Sequence, residues 1–192
     1  MSKTLKSQLK RESLVKATMN LVNNSGFHAT PMSKIAKMAN VSPATIYLYF
    51  ENKQDLVNKV YIEVKGAFTT YAFATYNKDM PVKTGFEIVW KRIADFKLKK
   101  CDEAMFLAQC DNTPMIDEAS RQEGLKHLQP LLDLWERGKR EGLIKPLSPY
   151  LLYAYTISPL SFLMVMQQRG AFQLNKNHIE DAYQAAWNSI KI

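Results

Sequence analysis

The chain has 192 residues, of which 46% are hydrophobic and 23% are charged, and its formal net charge is +8. These values are typical of a soluble globular protein of one or two domains, and they exclude a low-complexity or repetitive chain. Basic residues stand near the N-terminus without an apolar segment after them, so no secretory signal peptide is predicted.

The positive charge is concentrated in the first part of the chain. Residues 1–53 contain eight basic and two acidic side chains, whereas residues 54–192 contain eighteen basic and sixteen acidic ones. This asymmetry indicates either a surface that binds phosphate groups or a merely solubilising surface. Four basic side chains close to the N-terminus form either an arm that reaches phosphate groups or a solvated tail; they are Lys3, Lys6, Lys10 and Arg11.

Periodicity predicts a first helix over residues 7–24, after a disordered arm over residues 1–5. Gly26 is expected to end this helix in a left-handed conformation, and Phe27 to make the apolar contact that often follows such an end. The buried face of the helix is expected to consist of Leu14, Ala17, Thr18 and Leu21.

The same helix-start signal then occurs twice. Thr30-Pro31 and Ser42-Pro43 each place a hydroxyl at an expected N-cap and a proline at the first helical position. Between them, Asn40 tolerates the left-handed backbone that a tight turn needs. Two short helices over about residues 30–50 form a helix-turn-helix, whose second helix enters the DNA major groove. Apolar spacing supports both helices, with Met32, Ile35, Ala36, Ala39, Ile46 and Phe50.

Many positions in and around this motif match one family at fixed spacing. They are Gly26-Phe27, Thr30, Ile35-Ala36, Val41-Ser42, Thr45-Ile46-Tyr47, Tyr49-Phe50, Asn52-Lys53 and Leu56. The pattern resembles the DNA-binding domain of TetR-type (tetracycline-repressor-like) transcriptional regulators, over roughly the first third of the chain. Family members often have glycine in place of Asn40 and Ala44, but both residues are small and compatible with the turn.

Helices are also predicted along the rest of the chain, which matches the family only in layout. Asn52 is expected to cap the next helix, with Asp55 in a box-like arrangement, and this helix should run past Tyr71. No convincing strand is found, so the chain is predicted to be all-α with about nine helices. The later ones are expected over residues 82–99, 102–110, from Pro114 to Arg140, from Ser148-Pro149, and over 177–190.

Apolar residues at helical spacing define the face of each later helix that should be buried. These residues are Leu56, Val60, Tyr61 and Val64; then Phe86, Val89, Trp90, Ile93 and Phe96; then Leu125, Leu128, Leu131, Leu132 and Trp135; and finally Ile179, Tyr183, Ala186, Trp187 and Ile190.

The segment 146–168 carries no charged side chain, and its helix is predicted to kink or split at Pro159. Its length would suffice for a membrane span, but prolines, serines and glutamines interrupt the apolar run. An uncharged helix can instead be buried in a core or a dimer interface, which is the interpretation we favour.

The resemblance implies a DNA-binding domain over residues 7–67. Tyr49 and Lys53 resemble the family's contacts to the DNA backbone, and Thr45 can bond a base edge or touch a thymine methyl. No arginine stands on the short second helix to bind guanine, so apolar contacts and DNA shape should contribute to recognition. The residues expected to contact DNA are Thr30, Ser33, Lys34, Ser42, Pro43, Ala44, Thr45, Tyr47, Tyr49 and Lys53.

Residues 68–192 are expected to form a ligand-sensing and dimerisation domain. The last two predicted helices resemble the family's dimer interface, and a two-fold dimer would match a palindromic DNA operator. The resemblance also implies a small-molecule pocket, although aromatic and Met residues at helical spacing more often form core than line a pocket. The candidates are Phe86, Trp90, Met105, Phe106, Cys110, Trp135, Tyr153, Phe162 and Met166, with Asp111, Asn112, Glu118 or His127 to orient the ligand.

Catalytic and metal-binding motifs are absent from the sequence, so no enzyme, no cofactor and no metal site is predicted. Cys101 and Cys110 stand nine residues apart, which suits neither a redox pair nor a zinc site. They are predicted to be reduced, partly buried thiols, with redox sensing as the alternative. The three histidines are scattered along the chain.

The sequence thus predicts a dimeric DNA-binding regulator, cytoplasmic and nucleoid-associated, acting as a repressor that an unidentified small molecule releases. Two alternatives remain. One is a helix-turn-helix protein without a ligand, with an architectural or co-regulator role. The other is a helical protein that binds a membrane surface or a protein partner through its uncharged segment.

Overall fold

The computed structural model describes residues 2–192, apart from the side chains of Lys3 and Asn112. The roles predicted for these two side chains, and for Met1 in the N-terminal arm, lie outside the described residues. Within that range the structure has helices and no strand, apart from an isolated antiparallel bridge. The predicted all-α fold is therefore confirmed.

Eleven helical segments make up most of the described chain, more than the nine or so predicted, because two predicted helices are each divided. In chain order they are α1 (Lys3–Ser25), α2 (Met32–Met38), α3 (Pro43–Ile46), α4 (Lys53–Phe73), α5 (Val82–Lys99), α6 (Cys101–Asn112), α7 (Glu118–Lys126), α8 (Gln129–Arg140), α9 (Pro149–Thr156), α10 (Ser158–Gln168) and α11 (Lys176–Ile190).

The helices are grouped into two compact units. The first contains the chain up to Lys65 together with Met105–Gly124, and the second contains the remaining residues. The helices α4, α6 and α7 each contribute residues to both units. The division predicted at residue 67 assigns Met105–Gly124 to the second domain, whereas in the structure this segment groups with the N-terminal residues.

The first unit has its core between α1, α2, α3 and α4. The faces predicted to be buried on α1 and α4 are confirmed, and Ile35 and Ile46 add one fully buried side chain each from α2 and α3. The start of α4 is capped as predicted, because the Asn52 side chain accepts the Asp55 N–H at 2.9 Å. The Asp55 carboxylate in turn accepts the N–H of Glu51 at 3.0 Å. In a standard capping box it would accept the N–H of the cap residue itself, Asn52, which is one position later.

The second unit is built around α5, which packs against α8, α10 and α11. The predicted face of α5 is buried, and its Phe86 and Trp90 rings lie 6.3 Å and 5.8 Å from the ring of Tyr183. The indole N–H of Trp90 donates to the carbonyl of Thr156 at 2.8 Å. Burial of large aromatic surfaces makes this cluster the main apolar contribution to the second unit.

The helix predicted from Pro114 to Arg140 is wrong in its start and in its continuity. The helix α7 starts only at Glu118, because the Asp117 carboxylate accepts the Ser120 N–H at 2.8 Å and so caps it. A break then separates α7 from α8. Pro130 has no N–H to continue the helical ladder, and its ring excludes an uninterrupted helix there. The buried stripe consequently shrinks, leaving Leu125 exposed and Leu132 half-buried.

The split predicted at Pro159 is confirmed, since α9 ends at Thr156 and α10 begins at Ser158. The disordered arm predicted over residues 1–5 is corrected for its described part. There α1 already begins at Lys3, because the Ser2 hydroxyl accepts the N–H of Leu5 at 3.2 Å and caps the helix.

Candidate nucleic-acid interface

The turn between α2 and α3 has the left-handed residue that the sequence predicts. Asn40 has a φ of 55°, and it is the one residue other than glycine with a positive φ in the described chain. Its N–H donates to the carbonyl oxygen of Lys37 at 3.2 Å, and the N–H of Val41 donates to the carbonyl oxygen of Ala36 at 3.0 Å. This pair of bonds is a Schellman motif, which ends α2 and fixes the direction in which the chain enters α3.

The start of α3 is held by the Ser42 side chain. Its hydroxyl accepts the Thr45 N–H at 3.2 Å, so the N-cap predicted at this position is confirmed. The hydroxyls of Ser42 and Thr45 also lie 2.8 Å apart and hydrogen-bond each other. Because Pro43 occupies the first helical position, α3 begins without an unpaired N–H there.

The capping role predicted for Thr30 is wrong. Its side chain is 0% exposed and donates to the Gly26 carbonyl at 2.8 Å, while the N-cap of α2 is Pro31, which makes no side-chain bond. Gly26 has the expected positive φ of 76°, but its ψ of 166° is extended, a region essentially limited to glycine. Thr30 therefore braces the α1–α2 connection, and its side chain is withdrawn from the surface on which DNA contacts were expected.

Most other residues predicted to contact DNA have accessible side chains. They lie on α2 and in the segment around α3. Directly after α3, the exposed Tyr47 is followed by Leu48, which was not among the predicted residues and is 82% exposed. Ile46 and Phe50 are buried beneath them and anchor the turn. The exposed members of the predicted set are Ser33, Lys34, Ser42, Pro43, Ala44 and Tyr47, while Thr45 and Tyr49 are half-buried.

Tyr49 is tied to α1 by its hydroxyl. The hydroxyl donates to the backbone carbonyl of Ser7 at 3.1 Å and lies 3.0 Å from the Ser7 hydroxyl. Sequence reasoning did not identify Ser7, because the two residues are 42 positions apart and no local pattern connects them. The contact fixes the Tyr49 ring within the segment 42–50, which comprises α3 with its cap and the residues after it and is here called the reading turn.

Lys53 is the first residue of α4, and two groups of the α1–α2 connection position its ammonium group. Its Nζ lies 4.1 Å from the centroid of the Phe27 ring and 3.4 Å from the carbonyl oxygen of His28. Partial burial lowers the pKa of Lys53 below its ordinary value, because the charged form loses hydration. A DNA phosphate placed here would favour the charged form and meet the helix N-terminus at the same time.

The surrounding basic residues differ in how freely their charge is available. Lys6 and Lys10 on α1, and Lys34 and Lys37 on α2, are exposed. Arg11 instead pairs with Glu63 at 2.7 Å, which offsets its charge locally. The positive surface of the first unit is therefore carried mainly by lysines, which suits contacts to phosphate groups that do not depend on sequence.

The candidate pocket residues are divided between the units. Met105, Phe106 and Cys110 belong to the first unit, and the others belong to the second. Burial raises the pKa of the Cys110 thiol well above its ordinary value, which disfavours the reactive thiolate. In the second unit Phe86, Trp90 and Trp135 are buried, Tyr153 and Met166 are half-buried, and Phe162 is exposed.

Trp135 differs from the other candidates in one respect. Its indole N–H is buried and has no hydrogen-bond acceptor among the described residues. A small depression in the second unit contains none of the candidates; it is lined by Ala94, Lys97, Leu98, Leu160, Leu163, Leu174 and Ile179.

Comparison with known families accounts for both parts of the chain. Residues 14–60 match the family model described as bacterial regulatory proteins, tetR family. Residues 81–191 match the model described as tetracyclin repressor-like, C-terminal domain. The second match alone covers more than half of the chain.

Individual proteins give the same result. An uncharacterized HTH-type transcriptional regulator of Haemophilus influenzae is 25% identical over 181 residues, covering 94% of this chain and 95% of that protein. The crystal structure of a TetR family transcription regulator from Marinobacter aquaeolei superposes with a TM-score of 0.91, at 26% identity and 98% coverage of both chains. The fatty acid metabolism regulator protein of Bacillus subtilis is 40% identical over 55 residues, which is 29% of this chain and 28% of that protein.

Replacing Lys53 by alanine should weaken binding to every DNA sequence by a similar factor. The lost charge should reduce the slope of log K against log salt by about one unit, because one phosphate contact disappears. Fluorescence anisotropy with DNA duplexes at several salt concentrations measures this slope. The matched control is Lys99→Ala, which removes an exposed lysine from the second unit. An unchanged slope for Lys53→Ala would contradict the phosphate contact.

Proposed function

The chain belongs to the TetR family of bacterial regulatory proteins, DNA-binding transcriptional regulators that act as dimers, and we propose that this member is a repressor released from a palindromic operator by a small molecule. It is a transcription factor and not an enzyme, and it acts in the cytoplasm, where we further propose that it associates with the nucleoid. The observation that carries the proposal is the reading turn. It presents Tyr47 and Leu48 outward over a buried Ile46, beside exposed lysines.

The dimer interface is proposed for α9, α10 and α11, in agreement with the sequence analysis. Taken together as Pro149–Gln168, α9 and α10 are long and apolar enough to span a membrane, yet only 28% of the apolar window is buried. Tyr150 is 87% exposed and Phe162 is 63% exposed, and Leu151 and Tyr155 are exposed beside them. An apolar surface of this kind on a member of a dimeric family is best covered by a second copy of the chain.

The dimer would give the operator its form. Two copies related by a two-fold axis present the same reading turn twice, and such dimers bind half-sites about 34–36 Å apart. An operator with two inverted half-sites is the DNA counterpart of that symmetry. The lipid-binding alternative uses the same exposed side chains, but it explains neither the reading turn nor the basic surface.

The release mechanism that we propose depends on a set of contacts between α4 and the start of α7, here called the clasp. The Gln54 side chain donates to the carbonyl of Met115 at 2.8 Å. The Asn58 amide donates to the Asp117 carboxylate, and its oxygen accepts the Asp117 N–H at 3.3 Å. Hydrogen bonds from Ser120, followed by the bond from the Asn58 amide, lower the pKa of Asp117, so the carboxylate stays charged in the clasp.

The clasp joins α4, which follows the reading turn, to α7, which also contributes residues to the second unit. It lies on the first turns of α4, which begins at Lys53, and at the N-cap of α7, whose last residues belong to the second unit. A ligand that favours a different position of α7 would shift α4 and misplace the reading turn. Operator affinity then falls by the ratio of the ligand's affinities for the two states.

Trp135 supports a polar ligand for the predicted pocket. A buried donor without an acceptor costs about 1–3 kcal/mol, and a ligand carbonyl or carboxylate would remove that cost. The remaining pocket candidates stay predictions. The relative named for fatty acid metabolism aligns over too small a part of this chain to indicate the ligand.

Selection from a random DNA pool tests the function as a whole. The purified protein should enrich a palindrome at moderate salt, and raising the salt should weaken binding without changing the enriched sequence, since phosphate contacts are not sequence-specific. Sequencing of the selected pools is the measurement. Salt-sensitive binding without an enriched sequence would instead favour the alternative of an architectural protein without an operator.

Replacing Phe162 by glutamate should convert the dimer to a monomer at micromolar concentrations, because a charge would be buried in the apolar interface. Sedimentation equilibrium gives the mass, and operator affinity should fall at least tenfold because the two half-sites are no longer held together. Leu125→Glu, at an exposed leucine on α7, is the matched control. A dimer of unchanged stability in Phe162→Glu would place the interface elsewhere.

Replacing Asn58 by leucine should uncouple ligand from DNA. The change removes both bonds to Asp117 while keeping a similar volume, so operator affinity without ligand should stay within about threefold of the unchanged protein. The loss of affinity caused by a releasing compound should shrink by about five- to tenfold, within the range of measured coupling energies. Operator titrations with and without the compound measure both quantities. Lys59→Ala, the neighbouring change on α4, should leave release intact; full release in Asn58→Leu would refute the clasp.

A further inference from the structure

Leu48 is the most prominent side chain of the reading turn, and neither the family comparison nor the sequence analysis gives it a role. Its side chain is 82% exposed, more than that of any other leucine, isoleucine or methionine among the described residues. Scattered exposed leucines are common on protein surfaces and need no explanation by themselves. The position and direction of this one are what call for an explanation.

The backbone directs Leu48 away from the protein. Its N–H donates to the Thr45 carbonyl at 3.1 Å, and the N–H of Phe50 donates to the Ile46 carbonyl at 3.1 Å. The chain therefore keeps a helical path beyond α3. At about 100° per residue, position 48 lies about 200° from both position 46 and position 50. Since Ile46 and Phe50 are buried, Leu48 stands on the opposite, outward side of the turn.

Three of the hydroxyl groups near Leu48, all but that of the exposed Tyr47, are already bonded within the protein. The hydroxyls of Ser42 and Thr45 bond each other at 2.8 Å, and the Tyr49 hydroxyl donates to the carbonyl of Ser7. With no arginine on α3, none of its side chains can bind a guanine with two hydrogen bonds. Apart from the Tyr47 hydroxyl, this turn is therefore equipped for apolar contact with the bases, and Leu48 is its most exposed apolar side chain.

We propose that Leu48 contacts the C5-methyl group of a thymine in the major groove, once in each half of the operator. Thymine is the one DNA base that presents a methyl group there, so a leucine at this position distinguishes thymine from the other three bases. The inference rests on the proposed function, since it requires an operator. It adds the base that the reading turn prefers and the residue responsible for the preference.

Deoxyuridine provides a direct test, because it differs from thymidine only by the missing methyl group. Each thymine of the selected operator is replaced in turn, and the affinity of the dimer is measured by anisotropy. For the unchanged protein, one thymine in each half-site should be sensitive, with a loss of about fourfold, the value expected for one buried methyl group. Indifference to every replacement would overturn the proposal.

Variants at position 48 connect the effect to the side chain. Leu48→Ala should reduce the loss at the sensitive thymine to less than twofold, whereas Leu48→Met, which keeps an apolar side chain, should retain most of it. Because Leu48 is exposed, both variants should unfold at the same temperature as the unchanged protein. An identical pattern of sensitive thymines in Leu48→Ala would overturn the assignment.

Lys53→Ala separates this inference from the function on which it rests. It should weaken binding to all duplexes while leaving the fourfold effect of uracil unchanged, because a phosphate contact carries no base information. A random pool without an enriched sequence would contradict the proposed function and this inference together. An enriched operator that is insensitive to uracil, or that has no thymine at a fixed place in each half-site, would contradict the role of Leu48 alone.

Discussion

A helix of four residues has no stability of its own, and the reading surface of this protein depends on one. Helix nucleation is unfavourable, and isolated helices shorter than about 12 residues are marginal in water. The single turn of α3 persists because Ile46 and Phe50 are buried beneath it and because its start is fixed. The left-handed Asn40 sets the entry and the Ser42 hydroxyl caps the start, so the orientation of the turn is determined by packing and capping rather than by helix propensity.

The neighbouring helices hold side chains beside this turn in the same way. Tyr49 is held by Ser7 on α1, and Lys53 lies over the ring of Phe27 in the connection between α1 and α2. A displacement of α1 or α4 would therefore move Tyr49 and Lys53, the groups that we propose contact DNA. This is the physical basis for a release mechanism that acts on α4 and never touches the DNA.

What the sequence could predict depended on how local the determining interaction was. The Asn40 turn, the Ser42 and Asn52 caps and the split at Pro159 are set by residues within a few positions of each other, and all are found. Thr30 has the same local signal as Ser42, but its hydroxyl is taken by the Gly26 carbonyl and the cap does not form.

Interactions between distant residues were beyond the reach of periodicity. The clasp joins Gln54 and Asn58 to a segment about 60 positions further along, and no spacing rule connects them. The exposure of a side chain is equally hard to predict from the sequence. Leu48 is an ordinary apolar residue in the sequence, and only the burial of Ile46 and Phe50 in the structure shows that it lies on the outer side of the turn. The pocket prediction rests on residue type, and residue type does not separate a core aromatic from a ligand contact.

The burial pattern after α3 also bears on how such a regulator can evolve. Positions 46 and 50 carry the folding free energy of the turn, whereas Leu48 contributes little to it because its side chain is in solvent. A gene duplicate can therefore exchange the residue at position 48 without approaching the stability threshold that eliminates most mutants. If Leu48 reads a base as proposed, separating the residues that hold the turn from the one that faces outward lets the preferred base change while the scaffold is kept by selection.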